Sequence, residues 1–519
     1  MQKEYVVVVK KGLDISDLDT QLASSTGDST IPSRIVECVN PMHTTSRLTH
    51  WMLTDEEAKA LESDERVLAV EIPFEDRDDI GLVKNARQSS TFNKSGTSSG
   101  VNWGLSRCTS EANNFTDGVT ELASTYLYSL DGTGVDVVIM DSGIQADHPE
   151  FTDAAGVSRI KQVDWYSEAN GVIAGTQSAS FYTDTDGHGT FCSGIAAGKT
   201  MGWAKNADIY IMKIFDTGAI GVSDGLDLIK EWHKNKTNNR PTVVNMSFGY
   251  GYTNVPVPSA GDSGLHYNEV TGLMDAWTYG DVGYTSSQDI FYKVNANYTP
   301  IDMPVRMALI DARIDDMITE GIHIVVAAGN AQTVGSEETD GHYNDSITIG
   351  GSVKYYHRSS SPRTTGDGGV EIVVGAIDSD LTSNKDAVAD YSNRGVTVDI
   401  LAPGSDIVST VSTSNDGYTT GDYPEDSNFK ISSANGTSFA APQVVGMSAI
   451  YLSRYPLLTP AELKVKIIND SKKDIVYEAA AGYDEGVNPY LNTYNGGLYG
   501  TPNRMLYNRF SGDMLVAWS

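Results

Sequence analysis

Short runs dominated by β-branched and apolar residues recur along this chain, at 135–140, 209–214, 243–246, 322–327 and 372–374. Between and after them, residues 226–234, 305–320 and 438–455 read as helices. Strands that are apolar on both faces suit a parallel sheet covered on either side. The pattern from about residue 103 to residue 475 therefore predicts an α/β domain with a mostly parallel central sheet. In such sheets the reactive groups lie beyond the carboxyl ends of the strands.

The first 78 residues have a different rhythm. Tyr5-Val6-Val7-Val8-Val9 reads as a buried strand, and 67–72 as another. Between them Thr54-Asp55-Glu56-Glu57 is a capping box, which predicts a helix over 55–63 with Ala58 and Leu61 on one face. Strand, helix and strand make a small α+β domain. Residues 79–102 are polar and small, without period, and read as a linker that holds a candidate processing site. Residues 476–519, rich in Tyr, Asn and Gly, read as a C-terminal extension.

Composition narrows the function classes. The net charge of −31, from 37 basic and 68 acidic residues, argues against sequence-independent binding to nucleic acid. Three widely spaced cysteines build neither a disulfide framework nor a zinc motif, so a reducing or redox-indifferent setting is the simpler inference. The apolar run at the start is too short for a secretory signal, and no stretch of ~18 apolar residues predicts a membrane helix. Cytosolic, virion-associated and unconventionally exported settings all fit.

Four short segments carry candidate chemistry. Val138-Ile139-Met140-Asp141-Ser142-Gly143 ends a strand in an acid and turns at glycine; alone, Asp141 is as well explained as a turn residue. Asp186-Gly187-His188-Gly189-Thr190 puts an imidazole between glycines, ahead of a helix of small residues. Ala327-Ala328-Gly329-Asn330 delivers a carboxamide at a strand end. Asn435-Gly436-Thr437-Ser438-Phe439-Ala440-Ala441-Pro442 puts a hydroxyl at the start of a helix, where free amides favour developing negative charge.

Together, in the order Asp, His, Ser, these segments resemble the subtilase family, and the resemblance covers most of 102–475. It implies the subtilisin-like three-layer fold and a serine endopeptidase. Asp141, His188 and Ser438 would be its triad, and Asn330 would complete the oxyanion hole with the Ser438 backbone amide. An extended polypeptide substrate would pair with Ser247-Phe248-Gly249 on one side and with Gly218, Ala219, Ile220 and Gly221 on the other, near Ala328 and Gly329. Residues 1–78 resemble the family's propeptide, which implies that the N-terminal domain inhibits its own chain. No cofactor is required for the chemistry, and structural calcium is compatible with it. The short stretch Gly198–Ala204 lacks the family's calcium-binding loop, which is closer to the proteinase K branch, whereas Asp399 matches a position where relatives bind a cation.

Two segments depart from the family pattern: 250–305 and 331–368 read as insertions near the primary pocket. Cys192, four residues after His188, reads as a buried small hydrophobe. The competing reading is a catalytically silent or only self-cleaving structural protein of a larger assembly, such as a virus particle.

Overall fold

In the computed structural model the valine run is the strand Lys3–Val9, and both of its faces are buried. Tyr5, Val7 and Val9 enter the core of the N-terminal domain, while Val6 and Val8 join the core of the larger domain. Alternation along a strand sends successive side chains to opposite faces, so a run that is apolar throughout marks a strand with two covered faces. The N-terminal sheet is antiparallel, in the order Cys38–Asn40, Leu48–Leu53, Lys3–Val9, Val67–Glu71. The capping box forms as the sequence predicts: Thr54 accepts from the Glu57 amide and Glu57 reaches back to Thr54. The structure describes residues 2–24, 30–40, 47–84, 87–88, 102–109, 126, 128–255, 261–268, 271–278, 301–478, 497–498 and 500–510.

The large domain is built on a nine-stranded sheet. Seven strands run parallel, in the order Asp208–Lys213, Asp136–Asp141, Thr242–Met246, His323–Ala327, Ile372–Thr382, Ile400–Pro403, Arg504–Met505. Lys472–Lys473 and Lys385–Val388 add antiparallel partners. One face carries the helices His188–Ala197 and Thr437–Arg454, the other Val222–Asn235 and Ala308–Thr319. Alternation assigns the strands: Val137 and Ile139 face the first pair of helices, Val138 and Met140 the second. The N-terminal sheet lies outside the second pair and adds a further layer through Val6, Val8 and Leu48.

Three expectations change. The start of the predicted linker is regular structure: Ile80–Lys84 pairs antiparallel with Phe248–Val255, and Arg87–Gln88 pairs with Asp426–Asn435. Residues 89–101 of that linker lie outside the described residues. The two insertions combine: Ser263–Asn268 and Leu273–Thr278 from the first share one antiparallel sheet with Ser346–Ile349 and Ser352–Tyr355 from the second. The C-terminal extension contributes Arg504–Met505 to the central sheet, so its described part belongs to the core. Among the described residues no helix is long and apolar enough to cross a membrane.

A buried ion pair ties the start of the large domain to its sheet. Arg107 Nε donates to Asp386 Oδ1 at 3.0 Å, and both side chains are almost wholly buried. Removing one partner strands a charge in the interior. Asp386→Ala is therefore expected to cost about 3–5 kcal/mol, read as a lowered denaturant midpoint.

Candidate active site

The parallel sheet delivers two of the four candidate groups to one edge. Asp141 is the last residue of its strand, and Asn330 follows the strand His323–Ala327. The other two begin helices: His188 opens His188–Ala197, and Ser438 is the second residue of Thr437–Arg454. The two helices pack against each other, with the His188 and Phe439 rings 5.6 Å apart.

Glycine makes the approach of His188 to Asp141 feasible. Gly187 has φ +97°, a left-handed turn into the helix, and a Cβ on Gly189 would fall 2.2 Å from the Gly143 carbonyl oxygen. His188 Nδ1 then lies 2.8 Å from Asp141 Oδ1 and 2.9 Å from Oδ2. Neither side chain is exposed to any extent that matters, and the Ser142 amide also donates to Asp141 Oδ1 at 2.7 Å. Burial disfavours the imidazolium, but the Asp141 charge outweighs it, and His188 is held well above its ordinary value.

The serine is turned away from the imidazole. Ser438 Oγ donates to the Ser247 carbonyl at 2.9 Å, and His188 Nε2 is buried without a hydrogen-bond partner. Ser247 Oγ in turn donates to the Ser438 carbonyl at 2.9 Å, and Asn245 Nδ2 donates to Ser247 Oγ at 2.9 Å. Catalytic hydrogen bonds are often absent before substrate binds, and a χ1 rotation of Ser438 changes its partner.

Asn330 is oriented by its neighbour. Its Oδ1 accepts from the Thr437 amide at 3.0 Å and from Thr437 Oγ1 at 2.9 Å, which leaves Nδ2 buried and unpaired. An unpaired buried donor at the start of the serine helix is suited to an anionic oxygen. Asn393 braces the adjoining loop, donating from Nδ2 to the Ala328 carbonyl and accepting at Oδ1 from the amides of Ala331 and Thr333.

Three positioning residues were not singled out from sequence. Thr437 is one. Asp184 is another: it accepts from Ser142 Oγ, from the Gly187 amide and from the Thr190 amide and hydroxyl, and so fixes the first turn under His188. The third is Ser360, in the second insertion. A Cβ on Gly249 would lie 2.8 Å from the Ser360 carbonyl oxygen, and one on Gly329 would lie 2.9 Å from Ser360 Oγ. Ser360 thus sits between two segments expected to bind substrate. Only Asp184 carries a local signal, its short distance ahead of the Gly-His-Gly turn.

One expectation is corrected here. Asp399 faces no vacant cation position: Lys464 Nζ lies 2.8 Å from its Oδ1 and also donates to the carbonyls of Gly369 and Glu371. The ammonium supplies the positive charge that the resemblance reserved for a metal ion. In the short loop after the His188 helix Lys205 also donates to carbonyls, those of Lys199, Thr200 and Gly202, with burial lowering it to about 8. Gly218 and Ala219 were expected to hold a substrate from the other side. Gly218 and Ala219 lie in a turn closed by Ala219 N to Asp216 O, and among the described residues Ile80–Lys84 pairs with Phe248–Val255 alone.

A fold of parallel strands under paired helices, with Asp, His, Ser and Asn gathered at one edge, defines a serine hydrolase. The family model described as "Subtilase family" matches residues 132–488, and the chain belongs to that family. It is 25% identical over 414 residues to a "Cuticle-degrading serine protease" of Arthrobotrys oligospora, covering 79% of this chain and 68% of the relative. It is 25% identical to "Subtilisin-like protease 2" of Pseudogymnoascus destructans, covering 91% of this chain and 86% of that one. Fervidolysin from Fervidobacterium pennivorans shares the fold, with a TM-score of 0.50 and 17% identity over 98% of this chain and 60% of its own. The protein is a serine-type endopeptidase.

Cys192 lies beneath the site as expected. It is fully buried, its Sγ is 3.8 Å from His188 Nδ1, and burial pushes the thiol up. Cys108 is buried as well, and Cys38 is half-buried. Alkylation of the native protein with iodoacetamide is expected to modify Cys38 well before Cys108 and Cys192. Peptide mass spectrometry checks this; Cys192 reacting as fast as Cys38 would contradict the burial.

Proposed function

We propose that this endopeptidase works through Asp141, His188 and Ser438, and that residues 1–84 are its own inhibitor, bound as part of a precursor. Ser438 Oγ attacks the scissile carbonyl once it has turned to His188, which takes the proton and returns it to the leaving amine. Asp141 holds the imidazole tautomer. Asn330 Nδ2 and the Ser438 amide receive the oxyanion. Ser247, Phe248 and Gly249 hold the substrate strand.

The observation that carries the precursor reading is the path of the chain itself. Lys84 is opposite Phe248 and Val83 opposite Gly249, antiparallel, as a substrate would lie. Arg87 is opposite Asn435 and Gln88 opposite Ala434, just ahead of Ser438. Both pairings fall on segments that adjoin Ser438, and we assign the bond to be cut to the interval from Lys84 to Arg87. Residues 85 and 86 lie outside the described residues.

Two carboxylates of the N-terminal domain add support. Neither Val222–Asn235 nor Ala308–Thr319 has a side-chain cap of its own. Glu71 accepts from the amides of Ala308 at 3.1 Å and Leu309 at 2.8 Å, and Glu75 accepts from Ser223 N at 3.4 Å. A carboxylate at a helix start satisfies free amides and complements the dipole. Arg47 further bonds Asp315 in the second of these helices at 2.7 Å.

Intact-mass measurement of the full chain tests the reading. The active protein is expected to separate into two fragments that meet between Lys84 and Arg87, and Ser438→Ala to stay whole. An active protein that stays whole, or is first cut near Asn102, would refute the placement. Glu71→Ala is expected to weaken inhibition by the released N-terminal fragment roughly tenfold, since a lost cap costs ~1–2 kcal/mol. Turnover of an added peptide separates a general protease from one that cuts only itself.

The pH profile follows from His188. The base must be neutral, and the Asp141 charge raises its pKa, so activity is lost as pH falls through a value above the ordinary imidazole range. Asp141→Asn removes that charge. It is expected to lower kcat about 10⁴-fold, as in unrelated serine triads, and to move the acidic limb to lower pH.

A further inference from the structure

The two insertions bring a second cluster of ligating groups together, away from the triad. His266 lies in the strand Ser263–Asn268 of the first insertion. His342, Asp345 and His357 come from the second. His266 Nδ1 lies 3.1 Å from Asp345 Oδ2, His342 Nδ1 lies 2.8 Å from the same oxygen, and His357 Nε2 lies 3.6 Å from it. Three of the nine histidines in the chain thus converge on one carboxylate oxygen. A chance cluster of surface groups would not come from three separated segments around a wholly buried acid.

Three features of the cluster point to a cation. First, Asp345 is fully buried, and among the described residues its ion-pair partners are these histidines, with no lysine or arginine. A buried carboxylate needs a compensating charge. Second, the ring of His357 is fixed for ligation. Its Nδ1 lies 2.8 Å from the Val334 carbonyl, which can only accept, so Nδ1 carries the hydrogen and the Nε2 lone pair faces Asp345. Metal-bound histidines are commonly held this way. The carboxylate is held too: the Tyr267 amide donates to Asp345 Oδ1 at 2.6 Å. Third, the spacing fits. Ligating atoms of His266, His342 and Asp345 all lie within 4.8 Å of one another. Tetrahedral zinc with bonds of ~2.0–2.1 Å separates its ligands by ~3.3 Å, which lies within the observed spread of distances to Asp345 Oδ2.

We propose that Asp345, His266 and His342 bind a divalent transition-metal ion that joins the two insertions beside the cleft, with His357, 3.6 Å from the shared carboxylate oxygen, completing the set as fourth ligand. Three imidazoles and one carboxylate suit zinc, whereas calcium and magnesium prefer oxygen. The ion braces the segment that carries Ser360, three residues after His357, and so reaches the wall between Gly249 and Gly329. This site is independent of the triad assignment.

The test uses the full chain with Ser438→Ala, so that it stays intact, and zinc as the probe. Elemental analysis after dialysis is expected to find about one zinc per chain. His266→Ala and His342→Ala, both at partly exposed positions, are expected to weaken zinc binding by about 100-fold or more. Zinc retained in full by both variants, as it would be at Asp141, His188 and Cys192, overturns the proposal, and so does a parent chain that binds none. A second measurement needs no substitution at the cluster. Zinc is expected to slow acylation of His266 and His342 by diethyl pyrocarbonate, mapped by mass spectrometry. Unchanged acylation in the presence of zinc also overturns the proposal.

Discussion

The Asp141 carboxylate has no contact with water, and its charge is tolerable there only because its surroundings answer it. The His188 imidazole and the Ser142 amide supply that answer at hydrogen-bond distance. Much of the large domain follows from holding those groups in place. The strand before Asp141 lies inside a parallel sheet, so its end is fixed by neighbours on both sides. The helix that starts at His188 is buried along its length, and Asp184 pins its first turn. The serine helix packs on that helix and carries Thr437, which in turn orients Asn330. One buried charge pair thus sets the positions of a strand, two helices and the Asn330 amide.

The edge of Phe248–Val255 that we propose for substrate is paired with the chain's own segment Ile80–Lys84. Strand addition is sequence-tolerant because the main chain carries most of the bonding. A covalently attached strand also has a high effective concentration, so modest contacts suffice to hold it. The N-terminal domain adds its own anchors through Val6, Val8, Arg47, Glu71 and Glu75. The two insertions act on the cleft from the other direction: their shared sheet leads into the segment of Ser360, which separates Gly249 from Gly329. Lysines at two positions, Lys205 and Lys464, supply charge within carbonyl cages by covalent means. A tethered ammonium needs no free ion and gives one positive charge where a calcium ion gives two.

Much was legible in the sequence because local physics decided it. The Asp, His and Ser segments each combine a strand end or helix start with small residues, and each has only one economical backbone solution. The parallel sheet was legible from runs apolar on both faces, and the Thr54 box from two side chains three residues apart. The valine run of the N-terminal domain was legible as buried, although a four-stranded sheet has only one core of its own. What covers its second face lies elsewhere in the chain.

The sequence by itself determined the class of fold and the class of chemistry, since these depend on motifs a few residues long. Only the tertiary structure decided which edge Ile80–Lys84 lies on, that Lys464 answers Asp399, that Ser360 separates Gly249 from Gly329, and that His266 meets Asp345. Each of these joins residues far apart in the chain. Such contacts are chosen by packing, hydrogen bonding and charge compensation in three dimensions, and no local period or spacing records them.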